Sequence, residues 1–175
     1  MKKIIFSVVI IIAAIIGCKT NSSSSDSKSL KLNFESKSGS NVTGTATFVE
    51  KNGKVTFTAK ISGLKPGIHA IHIHEKSDCS AADGSSAGGH WNPTFKKHGK
   101  WGEGEHHKGD IGNFTADEKG NGTITLTTDE WSIGGEDPTK NILGKGLIVH
   151  QGADDFVTQP TGNAGGRVAC TAIIK

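Results

Sequence analysis

A charge excess of one sign is missing from this chain, and so are long apolar runs and helical periodicity. Its 20 lysines and arginines stand against 17 aspartates and glutamates, a formal net charge of +3, too small for a nucleic-acid-binding surface. The longest apolar stretch, residues 4–16, has 13 residues and contains one serine. Crossing a bilayer takes about 20 apolar residues, so a shorter targeting segment is the better reading than a permanent transmembrane helix. Beyond it no stretch repeats apolar residues at i, i+3 and i+4, which argues against long amphipathic helices. Cysteine is scarce too: three in 175 residues, enough for one internal disulfide at most.

The N-terminus starts with Met1-Lys2-Lys3, continues through the apolar run and reaches Ile15-Ile16-Gly17-Cys18. A positive start, a short apolar core and small residues at its end are the layout of a secretory signal. Its last four residues resemble the lipobox of bacterial lipoproteins, in which the cysteine is acylated and opens the mature chain. Residues 19–29 are polar and serine-rich, the composition of a flexible tether. The expected organisation is a signal peptide over 1–17, lipidated Cys18 with a flexible linker over 18–29, and one domain over 30–175. The expected location is the cell envelope, as a periplasmic or outer-surface lipoprotein anchored to a membrane. Loss of residues 1–17 would remove Lys2 and Lys3, leaving 18 basic against 17 acidic side chains and a formal charge of +1. With Cys18 lipidated, Cys79 and Cys170 are left either as a disulfide in an oxidising compartment or as two buried thiols. A bridge closing about 90 residues contributes roughly 4–5 kcal/mol in the chain-entropy picture.

From residue 42 the pattern is that of strands. Phe48, Ala46, Gly44 and Val42 alternate with threonines, Asn52-Gly53 offers a tight turn, and Val55, Phe57, Ala59 and Ile61 resume the alternation. Period two on both sides of Asn-Gly predicts a hairpin. Further period-two runs lie at 123–127, 147–150 and 168–174, so the expected class is all-β, a sandwich or barrel. Two long segments, about 76–109 and 151–166, have no strand pattern, and loops of that length are commonly functional.

Eight histidines stand in a chain without tyrosine. Ile71-His72-Ile73-His74 alternates, so on a strand both imidazoles share one face and both isoleucines the other. Two rings side by side on a rigid strand make a metal platform, with a solvated polar face as the alternative. His150 ends another apolar strand, in which Leu147 and Val149 face inward and His150 sits with Ile148 on the opposite side. It is a candidate third imidazole if the two strands meet, which spacing does not decide. His90, His98, His107 and Asp110 form a second set, and three imidazoles with one carboxylate suit tetrahedral zinc, which would order the loop around it.

The runs Gly67-Ile68-His69-Ala70-Ile71-His72-Ile73-His74-Glu75, Gly88-Gly89-His90-Trp91-Asn92-Pro93, His98-Gly99, His107-Lys108-Gly109-Asp110-Ile111-Gly112-Asn113 and Gly162-Asn163-Ala164-Gly165-Gly166-Arg167-Val168-Ala169-Cys170 resemble the signatures of copper/zinc superoxide dismutases. They occur in the family's order from about residue 42 to the C-terminus. The resemblance implies a Greek-key β-barrel or sandwich of about eight antiparallel strands with two long functional loops. It implies one copper ion on His72, His74, His90 and His150, and one zinc ion on His90, His98, His107 and Asp110, with His90 bridging them. It makes Cys79 and Cys170 the disulfide that ties the long loop to the barrel, and Asp154 a carboxylate linking ligands of the two metals. His69 matches a structural position. The implied activity turns superoxide into oxygen and hydrogen peroxide by alternating copper(II) and copper(I), with Arg167 guiding the anion and His90 handling a proton. Family members outside the cytosol are monomers or homodimers.

Departures from the family pattern are few. Residues 151–166 hold Asp154 and Asp155 but no lysine or arginine, where relatives often carry lysines that steer the anion; Lys96, Lys97, Lys100 and Lys108 are candidate replacements. Trp91 stands where phenylalanine is common. His106 precedes His107, but only His107 has the His-x-x-Asp spacing. A copper-storing relative would lack a ligand or the arginine, and a copper-only enzyme would lack the zinc ligands; this chain keeps all of them. A purely structural lipoprotein has no need of seven separately placed ligands.

Overall fold

Strand-forming sequence dominates from Lys28 onward in the computed structural model, which describes residues 27–175. The expected signal peptide, Cys18 and most of the linker lie outside the described residues. Nine antiparallel strands make one sheet: β1 (Lys28–Asn33), β2 (Glu35–Ser36), β3 (Thr43–Lys51), β4 (Lys54–Ser62), β5 (Gly67–His74), β6 (Gly112–Ala116), β7 (Gly122–Thr128), β8 (Lys145–His150) and β9 (Arg167–Ile173). Their order is β1-β3-β4-β7-β6-β5-β8-β9-β2. Only Phe34 separates β1 from β2, so one bent segment pairs with β3 at one end and with β9 at the other. That bend brings the sheet round into a nearly closed barrel with Greek-key crossovers, and taking β1 and β2 as one bent strand gives the expected count of about eight.

The hairpin behaves as its turn chemistry requires. Asn52 and Gly53 take φ of 52° and 72°, the left-handed pair of a type I′ turn, and Lys51 pairs with Lys54 in β3 and β4. On the inner face Phe48 and Phe57 stack at 4.9 Å, and Ala46, Val55, Ala59, Ile61, Ile71, Ile73, Leu147 and Val149 join them in a fully buried core. Each of the larger side chains, valine upward, contributes about 1.5–3 kcal/mol on burial.

Three features were not legible as strand patterns. β1 begins at Lys28, two residues before the expected domain start. A third long connection, residues 129–144, joins β7 to β8, and its Trp131, Ile133 and Ile142 are buried in the core. Trp131 Nε1 donates to the Lys108 carbonyl at 2.8 Å, which pins the loop before β6 against that core. The long segment after β5 contains one short turn of 3-10 helix, Ser85–Ala87. Cys79 and Cys170 form a disulfide that fastens it to β9, with Cα atoms 5.8 Å apart. Ile148, Ala87 and the two half-cystines make a small second core beneath it. The loop also lies directly on β8, because a Cβ at Gly146 would stand 2.5 Å from the Lys76 carbonyl oxygen.

Candidate metal centre

Two strands and one loop build the site. β5 presents His72 and His74 outward while Ile71 and Ile73 fill the core. β8 pairs with β5, Ile71 opposite Val149 and His72 opposite Ile148, so His150 arrives next to the first two rings. Val149 pairs with Ala169 but His150 with Arg167, so Val168 is an extra residue on β9 and the bulge lies beside Arg167, a common place for bulges near functional sites. His90 comes from the loop. Its neighbour Trp91 is buried and donates its N–H to the Ile73 carbonyl at 2.8 Å. Gly109 receives the Ile73 N–H at 2.9 Å, and a Cβ there would lie 2.2 Å from the Ile73 oxygen. The loop can approach β5 this closely only through glycine.

The structure brings the candidate residues into two buried groups that share His90. In one, ligand-type atoms of His72, His74, His90 and His150 lie within 4.8 Å of one another; in the other, those of His90, His98, His107 and Asp110 do the same. Ring centroids are 4.1 Å apart for His72 and His90, 5.0 Å for His74 and His90, and 5.3 Å for His90 and His98. His106 joins neither group; it packs at a tilt against Trp101, ring centroids 4.8 Å apart.

Several outer nitrogens are held by protein groups, and four inner ones are left bare. His74 Nδ1 donates to the Gly88 carbonyl at 2.9 Å and His150 Nδ1 to that of Gly165 at 3.3 Å. Asp154 spans the two groups, with Oδ2 2.9 Å from His72 Nε2 and Oδ1 2.9 Å from His98 Nε2. Such partners orient ligand rings and set their tautomers. Among the described residues five buried side-chain N or O atoms have no hydrogen-bond partner, and four are His72 Nδ1, His90 Nε2, His98 Nδ1 and His107 Nδ1. Leaving such a group unpaired costs about 1–3 kcal/mol. Four of them turned inward fit cation sites, since imidazole suits copper and zinc and a carboxylate adds a hard oxygen. His98 Nδ1 is 3.0 Å from Asp110 Oδ2 but misaligned for a hydrogen bond, as befits two donors converging on a common point.

Electrostatics agree with this geometry. Burial first, then the neighbouring rings, holds His74 and His150 well below the usual imidazole range. Burial lowers His90 to about 4 although the Asp110 carboxylate opposes it. Burial also pulls on His98, but Asp110 and Asp154 outweigh it and raise the ring to about 9. Against the burial that opposes it, contacts with His107, His90 and His98 hold Asp110 far below the carboxylate range. Asp154 is likewise depressed against its own burial, chiefly by His72 and His98.

Arg167 is half-buried and pairs with His150 across β8 and β9. Its Nη1 donates to Gly84 O at 2.8 Å and its Nη2 to Gly88 O at 2.7 Å. Gly88 O also takes the His74 Nδ1 proton, so one carbonyl joins the guanidinium to the first group. Of the candidate steering lysines, Lys100 is paired with Glu103 and Lys108 with Glu130, whereas Lys96 and Lys97 are exposed. His69 is buried between the carbonyls of His150, 3.0 Å away, and Lys65, 2.8 Å away.

Two further residues support Asp154. Asn113 clamps the backbone of Asp154 through both amide atoms, each at 2.8 Å, and Gly162 packs against the Asp154 carboxylate. Both lie in the quoted runs, which is the signal that could have found them.

Residues 42–173 match the profile of the copper/zinc superoxide dismutase family. The chain belongs to this family. The crystal structure of the clock protein EA4 is similar to it, with a TM-score of 0.72 and 36% sequence identity over 82% of this chain and 92% of that one. Membership makes the protein an oxidoreductase that uses copper and zinc, and the two histidine groups fit two metal sites.

Proposed function

We propose that this superoxide dismutase holds copper on His72, His74, His90 and His150 and zinc on His90, His98, His107 and Asp110. The observation that carries the assignment is the shared imidazole: His90 Nδ1 faces the group with Asp110, while Nε2 is buried and bare toward the group on β5 and β8. Copper held there would supply the one-electron couple by which one superoxide is oxidised to oxygen and a second, with two protons, is reduced to hydrogen peroxide. The remaining work belongs to side chains. Asp154 keeps His72 and His98 in the tautomer whose Nδ1 lone pair points inward. His90 Nε2, buried and without a hydrogen-bond partner, is the atom at which a proton would be held and released. Arg167 spends two N–H groups on carbonyls, which fixes its plane, and offers its positive field and remaining donors to a small anion. Superoxide dismutases are known for rapid, electrostatically steered reaction, and Arg167 is the residue of this chain that would serve it.

The protein further reads as an exported lipoprotein, anchored through Cys18 after removal of residues 1–17, in the cell envelope. The Cys79–Cys170 disulfide supports export, since such bonds persist in oxidising compartments. Intact-mass analysis of membrane-extracted protein checks this: a diacylated or triacylated Cys18 as first residue is expected, and an unmodified N-terminus preceding Cys18 refutes it.

Superoxide removal by the copper- and zinc-loaded protein tests the activity. Fast turnover that disappears in His72→Ala and drops in Arg167→Ala is expected. Stoichiometric metal binding without turnover would replace the enzyme by a copper-handling protein.

A further inference from the structure

A turn that belongs to neither metal group meets Arg167 at both of its ends. β2 stops at Ser36, and the chain then reverses through Ser38 and Gly39, with φ of 53° and 67°, closed by a bond from Ser40 N to Lys37 O at 3.0 Å. The β2–β9 ladder would next set backbone groups opposite Val168 and Arg167; the first is kept through Lys37 N, and at Arg167 a serine hydroxyl takes the place of the backbone. Ser38 Oγ donates to the Arg167 carbonyl at 2.8 Å and Ser40 Oγ to the Val168 carbonyl at 2.6 Å. Lys37 N reaches that same Val168 carbonyl at 2.9 Å.

The other end of the arginine is held through the loop. Ser38 N donates to Ala82 O at 2.7 Å, two residues before Gly84, whose carbonyl receives Arg167 Nη1. The loop is packed close here: a Cβ on Gly84 would touch Arg167 Cβ at 3.4 Å and Lys37 Cγ at 3.7 Å. Ser38 thus ties the peptide of Arg167 with its hydroxyl and the acceptor loop of the guanidinium with its N–H. A left-handed serine is less favourable than glycine at the same place, and a non-glycine residue kept in such a conformation points to a task for its side chain.

We propose that Ser38, assisted by Ser40, is a positioning residue for Arg167 and sets the distance between its guanidinium and the anion beside the first metal group. The inference rests on the role proposed above for Arg167.

Azide, a small linear anion, is the probe. Its dissociation constant is read from the visible copper band of the full-length copper- and zinc-loaded protein, in wild type, Ser38→Gly, Arg167→Ala and the double variant. Glycine suits the backbone and removes only the hydroxyl, so Ser38→Gly keeps its metal content and its melting temperature does not fall. It is expected to bind azide about fivefold more weakly, the factor that about 1 kcal/mol represents, and Ser38→Ala, which keeps the strain, should weaken it by the same factor. In the Arg167→Ala background the serine change should add nothing. Wild-type azide affinity in Ser38→Gly, or an equal loss with and without Arg167, overturns this inference while leaving the arginine's role intact. Wild-type affinity in Arg167→Ala overturns both.

Discussion

Gly162 is the seat of the carboxylate that joins the two metal groups, and Gly162→Ala is the perturbation that tests the seat. A Cβ built there would lie 1.8 Å from Asp154 Oδ1, 2.6 Å from its Cγ and 2.5 Å from His98 Nε2. Ordinary van der Waals contact begins at 3.4 Å, so the carboxylate must retreat by more than an ångström. Its bonds to His98 and His72, both 2.9 Å, do not survive that displacement. Two charge-assisted bonds at about 1.5–3 kcal/mol each, plus about 1 kcal/mol for alanine at positive φ, give a penalty of about 4–7 kcal/mol if nothing relaxes. Relaxation will lower this, and loss of such supporting contacts generally weakens metal affinity about 10–100-fold. Gly165→Ala is the matched control: its φ of +77° is close to the +70° of Gly162, but its Cβ would meet only Gln151 Cβ, at 3.8 Å. Chelator competition on the fully loaded proteins gives the two zinc affinities. Gly162→Ala should lose zinc at least tenfold more readily than Gly165→Ala. Equal zinc affinity in the two variants would refute the claim that Asp154 orients His98.

Metal-free protein should lose stability on acidification: His90 is near 4 when folded and about 6.5 when unfolded, so the unfolded chain protonates first, and this group alone withdraws about 2 kcal/mol by pH 5. His74 and His150 act in the same direction. His98, raised to about 9, acts oppositely, its contribution complete below 6.5 and lost as pH rises through 9, so urea midpoints should fall from pH 7.5 to pH 5; a rising midpoint would contradict three rings against one. Cys79→Ser with Cys170→Ser should lower stability by about 2–5 kcal/mol in denaturant unfolding and weaken azide binding, because the loop carrying the acceptors of Arg167 loses its bridge to β9; unchanged azide affinity would separate the bridge from the arginine. Lys96→Gln with Lys97→Gln should slow dismutation about two- to threefold at low ionic strength and flatten its salt dependence, while Lys100→Gln with Lys108→Gln, whose charges are already paired with Glu103 and Glu130, should change it less. An unaltered salt dependence in the first pair would remove those lysines from steering.

Alternation carried most of the fold into view. The Asn52-Gly53 hairpin, β7, β8 and β9 all lie where period two predicts them, and residues 151–166 fall between β8 and β9. The N-terminal strand escaped because Leu30 and Leu32 are only partly buried and sit next to the serine-rich tether, where composition suggests a linker. The 129–144 connection escaped for another reason: Trp131, Ile133 and Ile142 are deeply buried without belonging to a strand, so no periodicity marks them. His-x-His placed His72 and His74 on one face, but whether His150 joins them depends on β5 pairing with β8, a long-range choice that residue spacing does not encode.

The two groups differ in what holds their donors, and this sets the order in which the site should come apart. Three donors of the proposed copper group stand on β5 and β8, strands bonded to each other and backed by Ile71, Ile73, Leu147 and Val149. All four donors of the proposed zinc group, His90 included, come from the single segment between β5 and β6. For that segment, ion binding and loop ordering are one free energy, whereas the strand histidines are placed by the barrel core itself. The segment also carries Gly84 and Gly88, the acceptors of Arg167. Emptying the zinc group should therefore loosen His90 and the arginine together while His72, His74 and His150 keep their places. Copper binding would survive zinc removal better than anion affinity would, an order that azide titration of the zinc-depleted, copper-loaded protein reads directly; azide affinity unchanged by zinc removal would show that the disulfide and the Ser38 turn suffice to hold the loop.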